Sequence, residues 1–382
     1  KEHRMHYRTL GNTDLKVSLI GLGTMTWGHQ NSEQDAHQQL DLALDHGVNL
    51  VDTAEMYPTP THAETWGSTE RFIGTWLART GRRADIVLAS KIVGPARQPG
   101  GATHIREGLT RHDRANIVAA LDGSLKRLQT DYLDLYQLHW PDRTTNIFGQ
   151  REYPYVDDPQ AIAIGETLSV LAEQVKAGKI RHIGVSNETP WGVGQFLRQA
   201  EVLGLPRIVS IQNPYSLLNR LYEGGLSEFS HREGLGLLAY SPLAFGALTG
   251  KYLGGARPEG SRLSAVYRTF NRYDSGPAQQ AIAGYVALAR ELDVSPAQLA
   301  LAAVIGKPNP QRTEVIKAFV VLNTQYLPGQ KLTETLRLHV RQRLGAHAYP
   351  REIEFVNELP KTPSGKLQRF ILRNQEIAKQ QC

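Results

Sequence analysis

Ser32-Glu-Gln-Asp-Ala-His-Gln-Gln-Leu-Asp-Leu-Ala-Leu-Asp-His-Gly-Val-Asn-Leu-Val-Asp-Thr53 carries two structural periods in succession. Over 32–46 the apolar residues Ala36, Leu40 and Leu44 recur every fourth position and share one face of a helix. Ser32 can accept amide hydrogens of the first turn, and Gly47 supplies the residue that ends a helix. A short apolar run, 48–53, follows at once. A helix that passes through a glycine into a buried strand is half of a βαβ unit, and the chain repeats it. Runs 19–25, 48–53, 86–91, 132–139, 180–187, 207–213 and 235–243 are rich in Val, Ile and Leu without strict alternation. That is the pattern of parallel strands covered on both faces. Between them, 113–129 puts Ile117, Leu121, Leu125 and Leu128 on one face, and 167–176 and 190–203 are similar.

Strand–helix units repeating every roughly 30 to 45 residues predict an α/β chain, either a (β/α)8 TIM barrel or a doubly wound sheet. Seven strands with room for an eighth favour the barrel. Segments 7–10 and 16–18 flank Gly11-Asn-Thr-Asp14 and predict an N-terminal hairpin across the barrel floor. The Gly- and Pro-rich stretch 94–108 and the irregular stretch 143–159 each follow a strand end. On a barrel, loops at that end build the binding site.

Four polar residues stand at or just past consecutive strand ends: Asp52, Tyr57 five residues later, Lys91 closing Val-Leu-Ala-Ser-Lys, and His139 closing Leu-Tyr-Gln-Leu-His. Singly, each has an ordinary reading: a strand-end Asp caps a helix, and a strand-end Lys is solvated. Together on one barrel rim they converge. A phenol is a poor acid at neutral pH; an ammonium beside it stabilises the phenolate and lowers its pKa. Asp52 can hold Lys91 charged, and His139 can hydrogen-bond a substrate oxygen. The set suits protonation of a developing alkoxide. No side chain supplies a hydride, so a nicotinamide is expected. Gly21-Leu-Gly-Thr-Met-Thr-Trp-Gly28 does not space its glycines as a Rossmann fingerprint. Trp27 and Trp140, next to these strand ends, are candidate walls of an apolar substrate pocket. The Tyr240–Ser241 strand end, with Gly246, Gly250 and Lys251 after it, offers exposed amides and a cation to an anion.

Composition narrows the classes. Lys and Arg total 43 against 37 Asp and Glu, a net charge of +6. From residue 307 onward thirteen basic residues face six acidic ones, so the tail is +7 and the body −1. A neutral body argues against a nucleic-acid partner. No apolar run is long enough to span a membrane. The opening Lys-Glu-His-Arg-Met-His-Tyr-Arg-Thr-Leu lacks a signal peptide's apolar stretch, and Met5 reads as a native start with residues 1–4 left from upstream. The one cysteine, Cys382, excludes an internal disulfide and a thiolate zinc site. The expectation is a cytoplasmic protein with no metal.

Residues 5–303 resemble the aldo-keto reductase family throughout. The motifs are Gly21-Leu-Gly-Thr, Gly47-Val-Asn-Leu-Val-Asp-Thr-Ala-Glu-Met-Tyr57, Ala89-Ser-Lys, Leu125 through Trp140, Gly184-Val-Ser-Asn, Gln212-Asn-Pro-Tyr and Ala239-Tyr-Ser-Pro-Leu. The likeness is to bacterial NADP(H)-dependent reductases of the branch that also holds the potassium-channel β subunits. It implies NADP(H)-dependent reduction of aldehydes or ketones, with Tyr57 as general acid. It also implies a cofactor site: Gly23, Thr24 and Asp52 near the nicotinamide ribose, and Ser186, Asn187 and Gln212 on the carboxamide. Tyr240 would stack on the ring. Ser241, Pro242, Leu243, Ala244, Gly246 and Lys251 would line the pyrophosphate, and Arg262 would reach the adenosine phosphate. The alternative is a regulatory cofactor-binding subunit like the channel β subunits, where the resemblance places an asparagine at the position of His139.

After about Ala303 the resemblance changes. Val304 through Leu322 and Tyr349-Pro-Arg-Glu through Ser364-Gly-Lys366 resemble the C-terminal domain of acyl-CoA synthetases, in which the lysine matching Lys366 serves adenylation. The nucleotide-binding part of such an enzyme is missing, so an acyl-adenylating role is nearly excluded. The organisation expected is a barrel over 1–303 fused to an incomplete α+β segment over 304–382. A further expectation concerns closure of the barrel. The β-prone run 315–322 would dock between the first and seventh strands, 332–344 would cover it as the eighth helix, and residues after 346 would be less ordered. The rival is that the tail keeps a synthetase-like fold as a separate lobe, with 315–322 paired to 352–356.

Overall fold

The computed structural model describes residues 5–148, 150, 152–264, 272–305, 317–320, 329–344, 350, 352–356 and 372. The chain divides into two compact units, Lys1–Ala300 and Leu301–Cys382.

In the first unit the predicted hairpin forms from β1 (Tyr7–Thr9) and β2 (Lys16–Ser18), paired antiparallel. The seven predicted strands follow: β3 (Leu22–Gly23), β4 (Leu50–Asp52), β5 (Val87–Ile92), β6 (Leu133–Leu138), β7 (Ile180–Ser186), β8 (Ile208–Pro214) and β9 (Gly236–Tyr240). They are hydrogen-bonded in sequence order in one sheet, every neighbour parallel. Helices cross over between them, as parallel strands require: α1 (Glu33–Asp45), α2 (Ser68–Thr80), α3 (Arg114–Leu128), α4 (Ile164–Lys176), α5 (Pro190–Leu203) and α6 (Leu226–Glu233). This is an α/β fold of the TIM-barrel type. Among the described residues its sheet has seven strands.

Local chemistry sets the helix ends. Ser32 and Asp35 close a reciprocal capping box at the start of α1, and Asp113 accepts the Asn116 amide at 2.9 Å to open α3. The expected α1 face is formed by buried Ala36 and Leu40 with Leu44 packed against them. Helix α2, which the apolar pattern had not revealed, buries Ile73, Trp76 and Leu77.

The period of two along each strand sorts the side chains. Outward-facing Val51, Leu88, Ile92, Tyr136 and Leu138 join helix residues such as Leu40, Trp76 and Leu121 in the main core. Leu50, Val87, Ala89 and Leu135 form the inner cluster, plugged by Leu10, Leu15 and Val17 of the hairpin region. Each fully buried aliphatic side chain contributes about 1.5–3 kcal/mol. Two residues farther along the same inward rows stand Asp52 (after Leu50), Lys91 (after Ala89) and Gln137 (after Leu135), with His139 one step beyond. The barrel interior is therefore apolar at the floor and polar at the rim.

After β9 come α7 (Gly276–Glu291) and α8 (Pro296–Ile305). Side chains cap the start of α8: Ser295 Oγ accepts the Gln298 amide at 3.1 Å, and Gln298 Oε1 accepts the Ser295 amide at 2.9 Å. None of the described helices is long and apolar enough to cross a membrane.

In the second unit β10 (Lys317–Val320) pairs in parallel with β11 (Glu352–Phe355), in a two-stranded sheet of its own. Helix α9 (Gln330–Leu344) lies between them in sequence. The expectation that 315–322 would complete the barrel sheet is overturned: its described part spends its hydrogen bonds on 352–355, as in the rival arrangement. A parallel pair needs a crossover of a dozen or more residues, and α9 provides it, so the segment closes as its own βαβ unit. The strand at 352–355 departs from the expectation of lower order beyond 346; apart from 350, 356 and 372, the other residues of that segment lie outside the described residues. Residues 315–316 and 321–322, Lys366 and Cys382 lie outside the described residues, as do residues 1–4.

Candidate active site

The inward rows of β4, β5 and β6 bring the tetrad together. Lys91, fully buried, donates to Asp52 Oδ2 at 2.6 Å and to the Thr53 carbonyl at 2.8 Å. Its ammonium lies 4.9 Å from the centre of the Tyr57 ring. The His139 ring meets Tyr57 edge-on, with centroids 5.6 Å apart. Tyr57 comes from the turn after β4, where its amide donates to the Ala54 carbonyl at 3.1 Å. The other oxygen of Asp52, Oδ1, accepts from Gln137 Nε2 at 3.0 Å and Gln212 Nε2 at 2.8 Å. Three donors thus hold one carboxylate, and that carboxylate holds the lysine.

Gln137 was not among the predicted site residues. Its signal was present: it stands two residues before His139 on the same inward face, where the preceding residue of that row is the apolar Leu135.

The electrostatics correct one expectation. Burial drives the Tyr57 pKa up; the Lys91 charge pulls it down, and so does Arg262, but burial prevails. Desolvation penalises the charged phenolate, and here it outweighs the stabilisation that the ammonium gives. Burial works against the Lys91 ammonium too, yet Asp52 and Tyr57 outweigh it and raise its pKa, so Lys91 stays charged. His139 is held well below the ordinary histidine range by burial, then by Lys91 and His112, and is neutral at physiological pH. Its Nδ1 has no partner among the described groups.

The rim holds a fit for a nicotinamide cofactor. Thr24, just past Gly23 at the end of β3, bonds the Asp52 carbonyl through its amide (3.2 Å) and hydroxyl (2.9 Å). Ser186 Oγ donates to the Gln212 carbonyl at 2.8 Å, and Asn187 Nδ2 donates to the His139 carbonyl at 2.9 Å. The Tyr240 hydroxyl donates to Asn187 Oδ1 at 2.6 Å, fixing the ring beside that amide. Beyond it Ser241, Ala244, Phe245 and Gly246 have positive φ (55°, 49°, 58° and 89°), which turns successive peptides into a concave run suited to an anion. A Cβ on Gly246 would stand 3.0 Å from Lys251 Cε, so glycine lets that lysine lie across the turn. Arg262 is close enough for its charge to be felt at Tyr57.

Trp140, itself buried, lies 5.1 Å from the His139 ring and shares a cluster with Tyr57, Val93 and Ile147. Trp27 lies in a different cluster. It is fully buried in the main core, and its indole donates to Gln39 Oε1 of α1 at 2.9 Å. It packs against helices and is not brought to the tetrad. The two long loops are tied across the rim by Arg97, which donates to Asp142 at 2.6 Å and Asp158 at 3.0 Å.

The Aldo/keto reductase family profile matches residues 19–321, and that of the AMP-binding enzyme C-terminal domain matches residues 294–366. Protein tas of Escherichia coli (strain K12) is 53% identical over 304 residues, 80% of this chain and 87% of its own length. A probable voltage-gated potassium channel subunit beta of Arabidopsis thaliana is 32% identical over 309 residues, 80% of this chain and 85% of its own. Among solved structures, a thermostable aldo-keto reductase in complex with the inhibitor epalrestat is similar at a TM-score of 0.54 and 28% identity, covering 79% of this chain and 85% of that one.

Proposed function

Because the chain belongs to the aldo/keto reductase family, an oxidoreductase family of carbonyl chemistry, we propose that it reduces aldehydes or ketones to alcohols with NADP(H), Tyr57 acting as general acid. The observation that carries this is the Lys91–Asp52 pair at 2.6 Å beneath Tyr57, with a neutral histidine across the ring. When bound, the nicotinamide supplies the hydride. The chain's own groups do the rest. Burial keeps the proton on Tyr57 until negative charge develops on the substrate oxygen. Lys91 then stabilises the phenolate that is left, and Asp52 holds Lys91 charged. His139, uncharged, donates a hydrogen bond that orients the carbonyl. Ser186, Asn187 and Gln212 would hold the carboxamide, Tyr240 the ring face, and the turn from Ser241 to Gly246 with Lys251 the phosphates. Trp140 walls the substrate side. In this reading the reductase occupies 1–303, and 304–382 is an appended segment similar to the AMP-binding enzyme C-terminal domain.

Tyr57→Phe tests it. Turnover of an activated aldehyde, followed by NADPH absorbance, falls by about 10²-fold or more, while NADPH affinity measured by fluorescence stays near wild type. Turnover close to wild type overturns the assignment. A second reading, a cofactor-binding regulatory subunit, is favoured by the 32% identity to the channel subunit. It requires NADPH binding with no turnover of any carbonyl compound in a broad screen.

A further inference from the structure

Three carriers of the tetrad meet at the end of β5, and one buried carboxylate outside the tetrad stands where they meet. The Lys91 carbonyl accepts the Glu55 amide at 3.1 Å, and the Ile92 carbonyl accepts the His139 amide at 3.0 Å. The next rung, the Val93 amide, donates at 2.7 Å to Glu55 Oε1, a side chain taking the place of a strand. Glu55 therefore grips β5 through both its backbone and its carboxylate. It does so two residues before Tyr57 and three after Asp52.

Glu55 is 1% exposed. A carboxylate so buried needs a countercharge, and Arg106 supplies it with two parallel bonds, Nη1 to Oε2 at 2.7 Å and Nη2 to Oε1 at 2.9 Å. The same guanidinium donates from Nε to Asn116 Oδ1 of α3 at 2.7 Å. Arg106 sits in the long loop after β5 with φ of 47°, followed by Glu107 at 56° and Gly108 at 75°. Left-handed backbone at non-glycine residues is strained and persists where surrounding contacts over-determine it. The forked bond to Glu55 is such a contact.

We propose that Glu55, paired with Arg106, is a positioning residue of the tetrad: it sets Tyr57 against Lys91 and ties both to the loop over 94–112 that borders the substrate. The proposal rests on the reductase reading. Glu55 touches no reacting atom; it acts through the turn that carries Tyr57 and through the β5 end that carries Lys91. Displacements of the order of 1 Å in such a site cost about 10²-fold in rate.

Two variants test it. Glu55→Gln keeps an acceptor for the Val93 amide and removes the charge facing Arg106. Glu55→Gln with Arg106→Met removes the ion pair as a unit and leaves no buried guanidinium unpaired, so the protein folds even if the single variant does not. In each, kcat falls about tenfold or more while KM for NADPH stays near wild type. The Tyr57 phenol is isolated as the alkaline tyrosinate difference spectrum against the same protein carrying Tyr57→Phe. It titrates at higher pH than in the wild-type background, because Tyr57 has moved away from the Lys91 ammonium. A purely structural role would lower the thermal midpoint and leave that titration where it was. An unmoved titration overturns the proposal, and so does an equal loss of kcat and NADPH affinity. Should wild type reduce no carbonyl compound, the reductase reading fails, and the tyrosinate shift still decides this one.

Discussion

Replacing Lys91 by Met keeps the length of a fully buried side chain and removes its charge. The ammonium stands 4.9 Å from the Tyr57 ring centre, where a unit charge in a protein environment of effective dielectric near 20 is worth about 3 kcal/mol to a phenolate. If most of that charge has developed in the transition state, Lys91→Met lowers kcat by about 10²-fold. The basic limb of the kcat profile moves to higher pH, since the group that pulls the Tyr57 pKa down is gone while burial remains. Removing one member of a buried pair also destabilises, typically by about 3–5 kcal/mol. Here Asp52 keeps its bonds to Gln137 and Gln212, which argues for the lower end. Lys91→Met combined with Asp52→Asn separates the two effects: stability recovers and turnover does not. Steady-state kinetics with an activated aldehyde across the alkaline range, beside thermal midpoints, read both. A folded Lys91→Met protein with kcat within about threefold of wild type would refute the electrostatic role, since the Coulomb term would then be absent.

His139 and His112 are both held neutral by burial, with pKa values below the ordinary one of 6.5. Their contribution to stability is fully present above that value and is lost as pH falls below it, by up to about 1.4 kcal/mol per pH unit for each group. The thermal midpoint therefore drops on acidification from neutral pH, His112→Asn makes the drop shallower, and a flat profile counts against buried neutral imidazoles. Gly74 of α2 faces the backbone of α3, where a Cβ would lie 2.1 Å from the Arg127 carbonyl oxygen. Gly74→Ala costs about 3 kcal/mol in chemical denaturation, with kcat at low temperature unchanged; an undiminished unfolding midpoint would show that the helices separate easily. For the cofactor, kcat/KM favours NADP(H) over NAD(H), and Arg262→Ala narrows the margin. A clear wild-type preference for NADH would show that Arg262 does not meet the 2′-phosphate.

Most of the barrel and the tetrad were legible because both rest on local periods. Helical spacing with a cap at Ser32, and parallel-strand runs of Val, Ile and Leu, specify elements from neighbours a few residues apart. The strand period of two places Asp52 and Lys91 on inward rows already marked by Leu50 and Ala89. What such a period cannot state is which surface a side chain meets once strands and helices are assembled. Trp27 adjoins the same rim in sequence as Trp140, yet Gln39 of α1 and the outer core claim it. Glu55 and Arg106 are 51 residues apart in the chain, and only the folded loop makes them one ion pair. The Tyr57 pKa turned on the balance of burial against one nearby charge, which is a property of the packed site. The pairing of 317–320 was likewise open from its composition, since a β-prone run suits any free edge. Its partner was settled by α9, whose length lets 352–355 return alongside in parallel.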